Sequence, residues 1–317
     1  MKIALSDNNG GKFTTDIREH WEKTHEVRFE PGASEHLAQW ADVYYIDDWD
    51  NNIHYLYDLY HDDPRKCRPK NWDNNKKPKI IVRPLDWTVW IGFMRNQAMI
   101  DWVDQIVFIA PHIQKRVESE VDLKGKGVLI RPGVNLEKFT LKEKKTDGFQ
   151  IGMVLGDMWV YKNHMSGLDI FTTLLLRNKN WNLHIRGQHE PGEYNPVMYE
   201  YYLKSRGIED RVTLYSPVDD MNEWFENIDY LLHPGMKEAF CYAVGEAMAK
   251  GIKPVVNNFF GAEDIWDRKF LYNTNAEAIT LFSQGRSIKP KMEYRSYIEN
   301  NYGLKEMFVQ FDKLLDI

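Results

Sequence analysis

Cysteine is nearly absent from this 317-residue chain: Cys67 and Cys241 are the only two. Two thiols cannot make a disulfide framework or a cysteine-based zinc site, and they suit a reducing compartment. Cys241 reads as a small core residue rather than a nucleophile. Long apolar runs are missing too. None approaches the roughly 18 residues of a membrane span, and the opening MKIALSDNNGG is too short for a signal peptide. The expectation is a cytoplasmic protein, with peripheral attachment to a membrane left open. There is no G-x-G-x-x-G fingerprint and no G-x-x-x-x-G-K-[ST] phosphate loop. No metal motif is present; His54, His61 and His112 are scattered and His184 falls within a strand. A net charge of −6 argues against a protein that coats nucleic acid generally. No repeat or low-complexity tract is evident.

What is present is material for real cores, with 43% hydrophobic and 28% charged residues. The length favours two domains of roughly 150 residues each. Short β-prone runs at Lys2–Ser6, His25–Phe29, Val43–Ile46, Ile80–Arg83, Gln105–Ile109 and Val128–Arg131 alternate with helical stretches. The polar, lysine-rich stretch Leu136–Asp147 reads as a linker. A second series then begins, with strands at Phe149–Val154, Trp181–Arg186, Val212–Tyr215, Tyr230–Leu232 and Pro254–Val256. Strand–helix alternation predicts parallel βαβ units. The expected architecture is α/β, with a domain at 1–140, a second at 141–290, and terminal helices at 291–317 crossing back to the first. In such folds ligands collect at the carboxyl ends of the strands.

The most informative stretch is His233–Asn257, HPGMKEAFCYAVGEAMAKGIKPVVN. Pro234-Gly235 breaks a strand. Phe240, Ala243, Val244, Ala247 and Met248 form one helix face, Gly251 suits a left-handed C′ position, and Pro254-Val255-Val256 opens a strand. Glu238 precedes the helix and Glu246 lies in its second turn. Both carboxylates can border a polar ligand over the helix N-terminus, with amides around Ala239, Phe240 and Cys241 donating to its anionic oxygens. From spacing alone they read rather as a capping acid and a solvated helix glutamate. Gly10-Gly11, between the first strand and a helix, lets backbone N–H groups approach an anion, but it is also an ordinary turn.

The stretch resembles the signature of the family 4 glycosyltransferases, retaining enzymes of the GT-B fold, in which two Rossmann-like domains face each other across a cleft. The resemblance rests on Pro234-Gly235, Glu238, Glu246-Ala247-Met248-Ala249, Gly251 and Pro254-Val255-Val256. Ile130-Arg131-Pro132-Gly133-Val134-Asn135 with Phe139, Lys162-Asn163, Ile185-Arg186-Gly187 and Gly261-Ala262-Glu263-Asp264 follow in the family's order. It covers most of the second domain, and the first only by strand order. It implies a nucleotide-diphosphate sugar, UDP- or GDP-linked, as donor substrate, with no separate cofactor and no metal. Glu246 would hold the ribose, Glu238 the transferred sugar and Lys162 the diphosphate, with Arg186 either assisting or simply ending a strand. Retention would need no protein nucleophile, because the leaving phosphate helps deprotonate the acceptor.

Three departures stand out. Gly156-Asp157 occupies the region of a family arginine, for which Arg83 or Arg186 are candidate substitutes. Leu85 stands in place of a family histidine, with Asp86 beside it as either an acceptor-orienting acid or base or the cap of a turn. Gly235 replaces a serine. For the acceptor, Arg65–Lys79 carries seven basic residues against one acid. Arg65, Lys66, Arg68, Lys70, Trp72, Lys76 and Lys77 suit an anionic partner, or are a solvated loop. The reading is thus a retaining hexosyltransferase acting on a glycan or glycolipid hydroxyl. Its rivals are a phage-type enzyme glycosylating a hydroxymethylated base in DNA and a non-catalytic sugar-nucleotide-binding relic. The oligomeric state is not read from the sequence.

Overall fold

A computed structural model describes the chain except for residues 8–13, 50, 62–72, 74–75, 93, 158–159, 189–195, 216–219, 285–290 and 316–317. The sequence candidates Gly10, Gly11, Arg65, Lys66, Arg68, Lys70 and Trp72 lie outside the described residues. The chain divides into two units, Met1–Arg131 with Lys305–Ile317, and Pro132–Leu304.

The first unit runs β1 (Lys2–Asp7), α1 (Thr15–Trp21), β2 (Glu26–Glu30), α2 (Glu35–Trp40), β3 (Val43–Asp47), α3 (Asn51–Tyr60), β4 (Lys79–Arg83), α4 (Asp86–Trp90), α5 (Gln97–Trp102), β5 (Gln105–Phe108), α6 (Pro111–Glu118) and β6 (Gly127–Leu129). Its sheet is parallel, in the order β2-β1-β3-β4-β5-β6. The central strands are apolar on successive residues, as strands covered on both faces must be. Ile3, Ala4, Leu5, Val43, Tyr44, Ile80, Ile81 and Ile106 are all fully buried. At the carboxyl ends of adjacent strands, Asp47 and Arg83 form a buried ion pair, in register with Asp7.

The second unit runs β7 (Gln150–Asp157), α7 (His164–Arg177), β8 (Asn182–Gln188), α8 (Pro196–Ser205), β9 (Val212–Tyr215), α9 (Met221–Phe225), β10 (Tyr230–His233), α10 (Tyr242–Ala249), β11 (Lys253–Asn257), β12 (Leu271–Tyr272), α11 (Asn275–Ser283) and α12 (Met292–Asn301). Its sheet is also parallel, ordered β12-β11-β10-β7-β8-β9. The chain fills one side of β7 first and then returns to the other. The strand order therefore reverses between β7 and β10, and it is at the strands' carboxyl ends beside such a point that open α/β sheets bind ligands.

The boundary at Arg131/Pro132 differs from the expected 140/141, and the supposed linker is a strap on the second unit. Lys142 is buried and donates to the Ile228 carbonyl at 2.7 Å and to Asp229 at 3.2 Å. The N–H groups of Glu143 and Lys144 donate to Glu226. The lysines that read as solvated are in part ligands for this unit's own acids. The terminal helices also part company. Arg295 of α12 donates to the carbonyls of Phe139, Ala249 and Leu136, which holds α12 in the second unit. Only the last helix, α13 (Leu304–Leu315), returns to the first, where Phe311 meets Trp21 and Tyr45 edge-on and Asp312 accepts from Trp21 Nε1. Among the described residues, no helix is long and apolar enough to cross a membrane.

Candidate functional site

Two loops at the reversal point of the second sheet bring the sequence candidates together. After β7, a single 3-10 turn, Val160–Lys162, leads into α7 through Asn163, whose φ of 52° is left-handed. Asparagine tolerates that conformation where most side chains do not. After β10, Pro234-Gly235 turns the chain toward α10. The loops are tied to one another: Met236 N–H donates to the Tyr161 carbonyl at 2.8 Å, and Asn163 Nδ2 to the Pro234 carbonyl at 3.2 Å. Asn257, at the end of β11, donates to the Gly235 carbonyl at 3.0 Å.

This bracing sets Lys162 Nζ 2.5 Å from Glu238 Oε1, with 20% and 14% of the two side chains exposed. Burial is the largest single influence and works against the charge on Lys162, but Glu238, with Cys241 and Tyr161, outweighs it and raises the ammonium above the ordinary lysine range. Both Lys162 and Lys237 lie near the Tyr161 ring, 5.4 and 5.5 Å from its centroid. The two loops thus carry two ammonium groups and one carboxylate.

α10 is shorter than the periodicity predicts. It starts at Tyr242, because Cys241 is left-handed with φ 66° and ends the preceding loop. Phe240 lies outside the helix with its ring in a cluster with Tyr242, Trp266 and Tyr302. Ala239 and Phe240 are buried. Glu246 lies within α10 and is half-buried. At the other end Gly251 has φ 75°, and the N–H groups of Gly251 and Ile252 bond back to Met248 and Ala247, closing the helix as the glycine implies.

His233 was not singled out by the sequence as a site residue. It ends β10, is buried, and sets Nδ1 3.5 Å from Cys241 Sγ and Nε2 3.7 Å from Glu238 Oε1. Burial, followed by the Lys162 charge, pushes its imidazole down to about 3, so the ring is neutral. Burial and the nearby Glu238 charge push Cys241 up to about 12, which makes it a protonated thiol and no nucleophile. Lys237, Tyr161 and Asn257 were also missed. Their only signal was adjacency to motif residues, since what places them beside the pair is the contact between the two loops.

His233, Glu238 and Cys241 put three ligand-type atoms within 4.8 Å of one another. Lys162 already holds Glu238, and the thiol keeps its proton. A cation would have to displace an ammonium from its partner, so this donor set suits a hydrogen-bonded cluster better than an ion.

The other candidates lie elsewhere. Arg186 is buried in β8 and donates to the Met221 thioether sulfur, and Gly187 pairs with Gly156 in the sheet. Arg83 is committed to Asp47 in the first unit. Neither arginine is a spare phosphate cation. Gly156 sits at a strand irregularity with φ 59°, which explains the glycine there: arginine would be strained in that backbone. Asp86 opens α4 in the first unit and is half-buried; Leu85 is the N-cap, its N–H donating to Asp48. Lys76 donates to the Gln39 carbonyl, and Lys77 to Asp104 and the Trp102 carbonyl. Both lysines are thus tied to the body of the first unit.

Comparison with known proteins bears on the same region. Residues 150–280 match the family model for glycosyl transferases group 1. Protein CapJ of Staphylococcus aureus is 23% identical over 191 residues, 57% of this chain, and the chain spans about half (47%) of CapJ's length. Sucrose-phosphate synthase from Thermosynechococcus elongatus superposes with a TM-score of 0.75 at 12% identity, covering 99% of this chain and 98% of that one. Anabaena HepE, solved in complex with UDP, gives 0.72 at 13% identity, covering 99% of each chain. The fold is GT-B, and the family match falls within the second unit.

Proposed function

We propose that the protein is a retaining, metal-independent glycosyltransferase of family 4 type. In this reading it moves a hexose from a nucleotide diphosphate to a glycan or glycolipid hydroxyl. The observation that carries this is the Lys162–Glu238 pair, assembled from two loops at the reversal point of the second sheet. A sugar diphosphate needs cations for its phosphates and a carboxylate for its hydroxyls. Lys162 stabilises the charge that builds on the departing nucleotide diphosphate. Lys237, beside the same tyrosine, takes the place of the arginine that Gly156 excludes. Glu238 accepts from the transferred sugar and Glu246 from the ribose. Asp86, in the first unit, orients or deprotonates the acceptor.

Uridine is the first nucleotide to test, because HepE has been solved with UDP and with UDP-glucose. Thermal shift with UDP- and GDP-sugars, followed by donor hydrolysis, tests the proposal. A bound donor raises the apparent stability of the native state, and Glu238→Ala abolishes hydrolysis. If no nucleotide sugar protects the protein or is hydrolysed, the reading is wrong. Binding without hydrolysis, in the presence of a glycan acceptor panel, identifies the relic instead. Salt-dependent binding to duplex DNA that is lost on neutralising residues 65–79 identifies the DNA enzyme.

A further inference from the structure

Resting on the donor-site reading, we infer that His233 is a standby partner for Glu238: when the donor's phosphates draw Lys162 away, the His233 Nε2–H takes over Glu238 Oε1 and keeps the sugar-binding carboxylate in place.

Lys162 has two tasks in the donor site, and one ammonium does not serve both equally. In the structure it is held by Glu238 Oε1 at 2.5 Å. A diphosphate carries more charge than a carboxylate and competes for the same group. Glu238 would then lose its strongest neighbour at the moment it must grip the sugar. His233 answers that need. The protonated thiol of Cys241 faces Nδ1 at 3.5 Å, which makes Nδ1 the acceptor and leaves the ring proton on Nε2. Among the described residues Nε2 is buried with no hydrogen-bond partner, an arrangement that costs about 1–3 kcal/mol if it serves nothing. It stands 3.7 Å from the very oxygen that Lys162 holds, so a displacement of under about 1 Å completes a hydrogen bond. The charged or titratable groups facing the ring are Lys162, Glu238 and Cys241.

Gly235 belongs to the same device. A Cβ there would stand 2.8 Å from Nε2 and 2.9 Å from Cε1 of His233. The ring tolerates no side chain at that position, so the glycine that replaces the family serine is the steric counterpart of His233.

Long-range nitrogen–proton NMR of the histidines, with His233→Gln for assignment, tests the exchange. On adding the nucleotide sugar, the His233 Nε2 proton moves downfield in the wild type, and this change is absent in Glu238→Gln. A wild type that binds the donor while this proton stays still overturns the inference alone. A wild type that binds no nucleotide sugar overturns the donor reading and the inference with it. In kinetics, His233→Ala leaves the Kd for UDP within about threefold but lowers kcat for donor hydrolysis about 10- to 100-fold, since a carboxylate misplaced by an ångström suffices for that loss. His233→Gln, which keeps a donor N–H, recovers part of it. Equal loss of UDP affinity and kcat would mark a merely structural histidine and refute the assignment. Gly235→Ala should be damaging in the wild type and nearly silent in His233→Ala, in both Tm and kcat. Simple additivity there overturns the steric half of the argument.

Discussion

Breaking the Lys162–Glu238 pair separates stability from binding. Removing one partner of a fully buried pair costs about 3–5 kcal/mol, mostly because the abandoned charge stays buried, whereas exposed pairs are worth about 0–1 kcal/mol. With 20% and 14% of the side chains exposed, the site lies nearer the buried limit, and about 2 kcal/mol is expected for Glu238→Ala or Lys162→Met. In a unit the size of Pro132–Leu304, that loss lowers Tm by about 4–8 °C. Glu238→Gln keeps an oxygen acceptor and loses only the charge assistance, so about 1 kcal/mol is expected. The double variant Lys162→Met/Glu238→Leu abandons no charge and should melt close to the wild type. On the proposed donor reading, protection by UDP-sugar behaves differently, because the double variant lacks both groups assigned to the donor and stays unprotected. Scanning fluorimetry of the set, with and without nucleotide sugar, reads both quantities. If the double variant loses the sum of the single effects, the two groups are not coupled and the site has been misdescribed.

Three further outcomes are expected. His233 has its folded pKa depressed to about 3 against an unfolded value of about 6.5, so its contribution to stability is full above about pH 6.5 and falls as the pH drops toward 3. By about pH 5 the loss is about 2 kcal/mol, and urea unfolding at about pH 7.5 and pH 5 should show this increment in the wild type but not in His233→Gln. Gly133→Ala should destabilise by about 1–3 kcal/mol, because its Cβ would stand 2.8 Å from the backbone Cα of Leu304; an unchanged urea midpoint would contradict it. Lys237→Ala should weaken UDP binding about tenfold and flatten its salt dependence, which titration calorimetry at two ionic strengths measures.

The strands were legible because a parallel sheet covered on both faces needs uninterrupted apolar residues, and those runs stand out in the chain. α4 and α5 were not, since five or six residues are too few turns to show a period. The strap at 136–147 was misread because composition cannot distinguish a solvated lysine from Lys142, whose partner Asp229 lies 87 residues away. The site was half legible. Glu238 and Lys162 carry a spacing and an order, but His233 gains its meaning only from Gly235, Cys241 and Glu238 meeting around it.

That meeting bears on whether the departures from the family pattern mark decay. A site losing its function loses side chains without regard to their surroundings. Here Gly156 occupies a backbone that disfavours an arginine, while a lysine beside Tyr161 offers a second cation. Gly235 lacks the family hydroxyl, but a side chain there would collide with an imidazole aimed at Glu238. These two departures, unlike Leu85, are each matched by a neighbour that fits it, and both neighbours carry hydrogen-bond donors suited to the same ligand. Matched changes of this kind favour a reworked donor site over a relic. They also predict that restoring the family's serine through Gly235→Ser should lower activity, and that it should do so only while His233 is present.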